Sequence, residues 1–309
     1  MKILLTGSSG MVGRNLLEHP SISNFQILTP SSSELDLRDF INLEKYLNKN
    51  KPELIIHAAG KVGGIQANIL NPVNFFLENF DMGRNIVWAS RKANIKKLIN
   101  LASSCIYPVN SVSPLKEEFI LKGELESTNE GYALAKITTL RLCEYINREN
   151  QNFNYKSLIP CNLFGLYDNF DPSESHLIPG IIHKVHQAKE RKEKIVEIWG
   201  NGLARREFMS ANDFADALMK AITSFDSLPK IMNIGLGFDY TVNEYYQIAA
   251  KVIGFNGNFT YNLKKPVGVE RKLLSIDKQK IWGWHAKSDL LNSIEMTYKY
   301  YLKKIRNEF

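Results

Sequence analysis

Short apolar runs and longer amphipathic stretches alternate along the first half of the chain. Residues 3–6, 25–28, 54–57, 98–101 and 156–159 are brief β-prone runs, with helical patterns between them near 11–18, 39–48, 72–93 and 132–148. Alternation of this kind predicts an α/β fold, a Rossmann-type doubly wound parallel sheet covered by helices on both faces. The 72–93 stretch follows Asn71 and opens with Pro72, a helix-start signal, and carries Phe76, Phe80, Ile86 and Val87. The stretch from Tyr132 repeats apolar residues at Ile137, Leu140 and Ile146. Both are long enough to offer a second apolar face. A homodimer seam through these two helices is therefore expected, with core packing the simpler use of either face.

After about residue 165 the alternation breaks. Residues 168–179 read as loop and 181–194 as a basic segment, followed by a strand-like run ending at Trp199. Helical spacing returns at 212–223, 241–253 and 288–305. In the last stretch Leu290, Leu291, Ile294, Tyr298, Tyr301, Leu302 and Ile305 follow i, i+3 and i+4. The expected organisation is a dinucleotide-binding domain over 1–165 and a smaller, mainly substrate-binding lobe over 166–309, interleaved with the sheet.

Composition narrows this picture without changing it. The 309 residues are 44% hydrophobic and 23% charged, ordinary values for a globular chain. The net charge of +7 comes from lysines scattered along the chain. They form no stripe with interleaved aromatics, so nucleic acid is not an expected partner. The surplus suits a solvated surface or the steering of an anionic ligand. Cys105, Cys143 and Cys161 have neither disulfide-framework nor zinc spacing, which suits a reducing cytoplasm and no metal. No apolar run reaches membrane-spanning length, so no membrane partner is expected.

Candidate chemistry begins at the first strand. It runs into Thr6 and then Gly7, Ser8, Ser9, Gly10, Met11, Val12 and Gly13, a G-x-x-G-x-x-G loop between strand and helix. Such glycines allow a tight turn, close backbone approach to a pyrophosphate and close helix–strand packing, and the helix N-terminus favours the phosphate charge. Sites for NAD usually carry an acid at the end of the second strand, for the ribose 2′-hydroxyl. Here Ser31, Ser32 and Ser33 follow that strand and no acid appears before Glu34. That favours NADPH, although no arginine sits in the serine run itself; Arg14 and Arg38 are the nearby cations.

Tyr132 and Lys136 stand four apart and share one helical face. A tyrosine needs a nearby cation to move its proton at neutral pH, and Lys136 can supply it. Ser103 and Ser104 follow the fourth strand, at the carboxyl edge where such sheets bind ligands. A hydroxyl there can hold a substrate carbonyl, or simply cap the turn. Cys105 sits at the same edge, and His176 lies in the polar run Ser173-Glu174-Ser175-His176. A cysteine base and a histidine acid could move protons α to a ketone.

Taken together, the Thr6 to Gly13 loop, the run Ala58-Ala59-Gly60-Lys61-Val62-Gly63-Gly64-Ile65, Ser103-Ser104-Cys105-Ile106-Tyr107-Pro108 and the Tyr132/Lys136 pair resemble the extended short-chain dehydrogenases/reductases. More narrowly, the whole chain is similar to the GDP-L-fucose synthase family. That resemblance implies an NADPH-dependent reductase of a GDP-linked 4-keto sugar, with or without C3/C5 epimerisation. It implies Ser103, Tyr132 and Lys136 as the reductase triad, with Cys105 as base and His176 as acid. It further implies cofactor contacts at Gly7 to Gly13, at Leu101, Ala102, Ser103 and Ser104, at Lys136, at Pro160, Cys161, Asn162 and Leu163, and at His176. Lys184, Trp199, Arg206 and Lys272 fall on the implied nucleotide-sugar contacts.

Three positions depart from the family pattern: Ser9 and Lys184, where arginine is usual, and Val267, where an acid is usual. A changed sugar, such as a heptose in place of a 6-deoxyhexose, is the reading those departures suggest. Two alternatives stand beside it. One is a nucleotide-sugar 4-epimerase or dehydratase with tightly held NAD; the other is a nucleotide-sensing module without turnover.

Overall fold

The computed structural model describes residues 1–265 and 268–308, so Val267 lies outside the described residues. Its strands are β1 Lys2–Thr6, β2 Gln26–Leu28, β3 Leu54–His57, β4 Lys97–Leu101, β5 Asn154–Pro160, β6 Asn162–Phe164, β7 Ile195–Trp199, β8 Arg205–Arg206, β9 Phe208–Ser210, β10 Ile231–Ile234, β11 Tyr240–Thr241, β12 Asn258–Asn262 and β13 Arg271–Lys272. Its α-helices are α1 Met11–Leu17, α2 Phe40–Asn50, α3 Ile65–Leu70, α4 Pro72–Lys92, α5 Glu130–Glu149, α6 Leu177–Glu190, α7 Ala211–Thr223, α8 Val242–Ile253, α9 Asp277–Trp282 and α10 Leu290–Ile305.

Six parallel strands form the main sheet in the order β10-β5-β4-β3-β1-β2. Residues along each strand alternate between faces. Ile3, Leu5, Leu54, Ile56, Ile99 and Leu101 enter one buried cluster with α5 and α7, while Leu4, Ile55 and Leu98 enter another with α2 and α4. Burial on both faces explains why these strands read as unbroken apolar runs. The chain order reverses beside β1, which places a ligand crevice beyond the carboxyl ends of the strands.

Two elements were not expected from the sequence. The edge strand β10 comes from the second half of the chain, and its Asn233 is buried. That amide is satisfied by the carbonyls of Leu115 and Ser275 and by the Tyr107 hydroxyl, so a polar residue is tolerated inside a strand. Residues 181–194 are also not merely a basic segment, because α6 fills most of that stretch. Its Pro179 sits in the first helical turn, where the missing N–H would have had no partner anyway.

A separate apolar cluster supports the second half. Ile178, Ile181, Ile182 and Val185 of α6 pack with Tyr245 and Ala249 of α8 and Ile294 and Tyr301 of α10. Beside it β7 pairs with β12, and β8 is flanked by β11 and β13. These small sheets carry Trp199 at the end of β7, Arg206 in β8 and Lys272 in β13. Among the described residues no helix is long and apolar enough to cross a membrane.

Candidate active site

The glycine loop has the shape of a phosphate cradle. Gly7 adopts φ +72, and a Cβ there would stand 2.6 Å from the Ala59 nitrogen. A Cβ on Gly13 would stand 2.3 Å from the Gly7 carbonyl oxygen, so only glycine lets α1 sit this close to the turn. Gly10 caps α1 without a side-chain hydrogen bond to the first-turn N–H groups. These features fit a dinucleotide pyrophosphate. Across the crevice, the Ala102 N–H donates to Leu158 (2.8 Å), the Cys161 N–H to Ile234 (2.9 Å) and the Asn162 amide to the Glu207 carbonyl (3.1 Å).

At the ribose end the structure adds what spacing could not. Glu34 folds back so that its carboxylate accepts from the Ser31 N–H (2.7 Å) and hydroxyl (2.8 Å). Those bonds hold its carboxyl below the usual range. Arg38 is engaged by Asp36 through Nε (2.9 Å) and a terminal nitrogen (2.8 Å). The Arg14 guanidinium lies 3.8 Å from the centroid of the Tyr167 ring.

Beyond β4, the Ser103 side chain accepts from the Cys105 N–H (3.5 Å), capping the short turn that follows. Burial, reinforced by the neighbouring Cys105, pushes the Tyr132 phenol well above its usual range, and the Ser103 side chain opposes this. The phenol is fully protonated at neutral pH, the form a proton donor needs. The buried Lys136 ammonium donates to the Leu101 carbonyl (3.1 Å) and lies 5.7 Å from the Tyr132 ring centroid. Burial lowers its pKa to about 8.

Asn79 of α4 reaches the same point, unforeseen from sequence. A Cβ on Gly60 would meet both Asn79 Oδ1 (3.0 Å) and Lys136 Nζ (3.3 Å). The Asn79 amide is fixed by the Lys61 N–H and by the carbonyls of Lys61 and Phe75.

Cys105 is buried, and burial pushes its thiol up, against the opposing pull of Lys272. His176 caps the start of α6 beside the Lys-Val-Gly-Gly run, since the Gly64 N–H donates to the Glu174 carbonyl (2.8 Å). Burial lowers the imidazole pKa. Cysteine and histidine are therefore both held towards their neutral forms. Lys272 faces Glu126 at 3.9 Å and also feels Cys105 and Arg206, and its own pKa is lowered, chiefly by burial. Glu126 lies in a polar loop before α5 and carried no sequence signal.

The outer positions follow from the small sheets. Lys184 donates to the Glu197 carbonyl, two residues before the exposed Trp199. The Lys265 ammonium stands 5.0 Å from the Trp199 ring centroid. Glu207 was also missed: it is buried between β8 and β9, with a carboxylate accepting from the N–H groups of Leu236 (2.5 Å), Gly237 (2.9 Å) and Leu274 (2.9 Å). It staples the end of β10 to the segment that carries Lys272.

Comparison with known proteins agrees with this geometry. Residues 3–235 match the NAD dependent epimerase/dehydratase family. The chain is 53% identical to the GDP-L-colitose synthase of Yersinia pseudotuberculosis, over 100% of both chains. It is 48% identical to the GDP-L-fucose synthase of Azorhizobium caulinodans, over 97% of this chain and 96% of that one. The structure superposes on an NADP-bound GDP-mannoheptose C4 reductase from Campylobacter jejuni with TM-score 0.87 and 30% identity, covering 97% of this chain and 98% of that one. By its match over residues 3–235 and its full-length relatives, the chain belongs to the NAD dependent epimerase/dehydratase family, within its GDP-L-fucose synthase group of extended short-chain dehydrogenases/reductases.

Proposed function

We propose that this protein reduces the C4 ketone of a GDP-linked 4-keto sugar, a 6-deoxyhexose or a heptose, with NADPH. The observation that carries the reading is the buried Lys136 ammonium, 5.7 Å from the Tyr132 ring and bonded to the Leu101 carbonyl at the carboxyl edge of β4, where Ser103 follows. When bound, NADPH supplies the hydride for sugar C4. Ser103 holds the carbonyl, and Tyr132 gives its proton to the oxygen as negative charge develops there. Lys136 then stabilises the tyrosinate in a low-dielectric site, where a fixed charge is worth most. Gly7, Gly10 and Gly13 hold the cofactor's pyrophosphate, with Ala102, Ser104, Pro160, Cys161, Asn162 and Leu163 lining its far side. Lys184, Trp199 and Arg206 face the GDP moiety. The 53% identity to a GDP-L-colitose synthase favours including the 4-keto precursor of that sugar among candidates.

Epimerisation next to the ketone is the second part of the reading. The C4 carbonyl acidifies C3 and C5, Cys105 as thiolate takes a proton from one of them, and His176 as imidazolium returns one to the opposite face. The protein is further read as a cytoplasmic homodimer built on α4 and α5. Val73 and Leu77 are exposed on the first of these helices and Leu134 and Tyr145 on the second.

The test is product NMR after incubation with NADPH and a panel of GDP-4-keto sugars in D2O. One member should be reduced at C4, and Tyr132→Phe should lower turnover by about 10²- to 10⁴-fold while NADPH binding persists. Near-normal turnover in that variant would overturn the reductase assignment. Deuterium at C3 or C5, lost in Cys105→Ser, is expected if epimerisation occurs; complete reduction without deuterium would remove that half.

A further inference from the structure

The small sheet of β11, β8 and β13 sorts its charged side chains between two faces. β13 runs parallel to β8, with Arg271 opposite Arg205 and Lys272 opposite Arg206. Successive side chains on a strand point to opposite faces. Arg206 and Lys272 share one face with Glu126. A Cβ at Gly268 would meet Glu126 Oε1 at 3.2 Å and Arg206 at 3.3 Å, and Lys272 stands 3.9 Å from Glu126. Ile65 of α3 lies 3.9 Å from the same point, so this face borders the glycine run that packs on the His176 loop. On the other face Asp239, just before β11, is bracketed by two arginines. Arg205 Nε donates to its Oδ1 at 2.6 Å, and Arg271 Nε to its Oδ2 at 2.5 Å. A terminal Arg205 nitrogen also donates to the Asp239 carbonyl at 2.7 Å. The Asp239 side chain is 1% exposed, whereas those of Arg205 and Arg271 are 39% and 47% exposed.

We infer that Asp239 is a positioning residue for Arg206, acting through Arg205 and Arg271 from the far face of the sheet. The inference rests on the reading of Arg206 as a contact of the GDP moiety. The connection runs through the backbone. The Arg206 guanidinium donates to the Arg205 carbonyl at 2.8 Å and to the Glu270 carbonyl at 3.4 Å. The Arg205 N–H donates to that same Glu270 carbonyl at 2.8 Å. The guanidinium thus sits on two carbonyls, one of Arg205 and one adjoining Arg271, and Asp239 holds both of those arginines by their side chains. Like charges directly opposite each other destabilise a strand pair. The shared carboxylate turns that repulsion between Arg205 and Arg271 into a clamp, and the clamp fixes the carbonyl seat. Orientation matters here because a guanidinium recognises phosphate through a planar fork.

GDP is the probe, and its affinity is measured by calorimetry on the full-length protein saturated with NADP+. Asp239→Asn keeps the shape of the side chain and removes its charge. Losing a negative charge should by itself tighten the binding of an anion. The clamp demands the opposite: GDP should bind about tenfold more weakly, the weight of one charge-assisted hydrogen bond, with NADP+ affinity within about twofold of the parent. Arg205→Lys keeps its charge and loses the fork, at a half-exposed position that tests the clamp even if Asp239→Asn fails to fold. It should weaken GDP by about threefold, the scale of a partly exposed ion pair. In an Arg206→Lys background, Asp239→Asn should change GDP affinity by less than about twofold, because the guanidinium it positions is gone. A merely structural role would give the same loss in both backgrounds. Unchanged or tighter GDP binding in either variant, an equal loss in the Arg206→Lys background, or a parallel loss of NADP+ affinity would each overturn the clamp. A parent protein that binds no GDP would overturn the underlying reading of the site, and the clamp with it.

Discussion

Around Tyr132 the site combines groups whose charges burial discourages. The phenol and the Cys105 thiol are pushed up, while Lys136 and His176 are pushed down. For a reductase this is useful, since a protonated phenol is ready to donate. The lysine sets a limit. Its pKa is lowered to about 8, so the ammonium is present below that pH and lost above it. The expected kcat/KM profile for reduction is flat through neutrality and falls on the alkaline side from about pH 8. Lys136→Arg, which stays charged, should remove that alkaline limb even if turnover drops; a limb that persists in the arginine variant would assign it to another group. The residues that bring a proton donor, a cation and a serine together were legible, because their spacing on a helix and at a strand end is local. Glu126, Asn79 and Glu207 were not, because nothing near them in the chain says what they face.

Elements position these groups through a few close approaches. Helices α4 and α5 carry Asn79 on one side and Tyr132 and Lys136 on the other. They pass so closely at Gly83 that a Cβ there would stand 2.0 Å from Thr139 Oγ1. Gly83→Ala should therefore force the pair apart and destabilise the protein by about 1–3 kcal/mol, the usual cost of overpacking. Thr139→Ala in the same chain should recover part of that loss, read as melting temperature. Equal destabilisation with and without the second change would mean that the contact is not the cause. Helix α6 shows how an element can be hidden. Ile178, Ile181, Ile182 and Val185 follow helical spacing, but Pro179 and Gly180 in the first turn looked like loop. The periodic signal was present, and the composition of one turn masked it.

On the scale of the whole molecule, the exposed apolar residues of α4 and α5 matter most. Val73 is 65% exposed, Leu77 47% and Tyr145 51%. Burying an aliphatic side chain is worth about 1.5–3 kcal/mol, so several covered together would support a stable pair of chains. Sedimentation should show a dimer that Leu77→Glu converts to monomer with its fold intact. A monomeric parent, or a variant that stays dimeric, would rule this seam out. The second half of the chain is not simply appended, because it supplies β10 to the main sheet and, through Glu207 and Leu274, anchors the segment bearing Lys272.

By itself, the chain determined the first five parallel strands, the glycine cradle and the placing of Tyr132 and Lys136 on one helical face, because each depends on periodicity or spacing over a few residues. Only the tertiary structure decided the sixth strand, the return of Glu34 to Ser31, and the pairing of Glu126 with Lys272. Those last two lie on separate segments, each ordinary on its own. Their charges acquire chemical meaning only when folding removes water from between them.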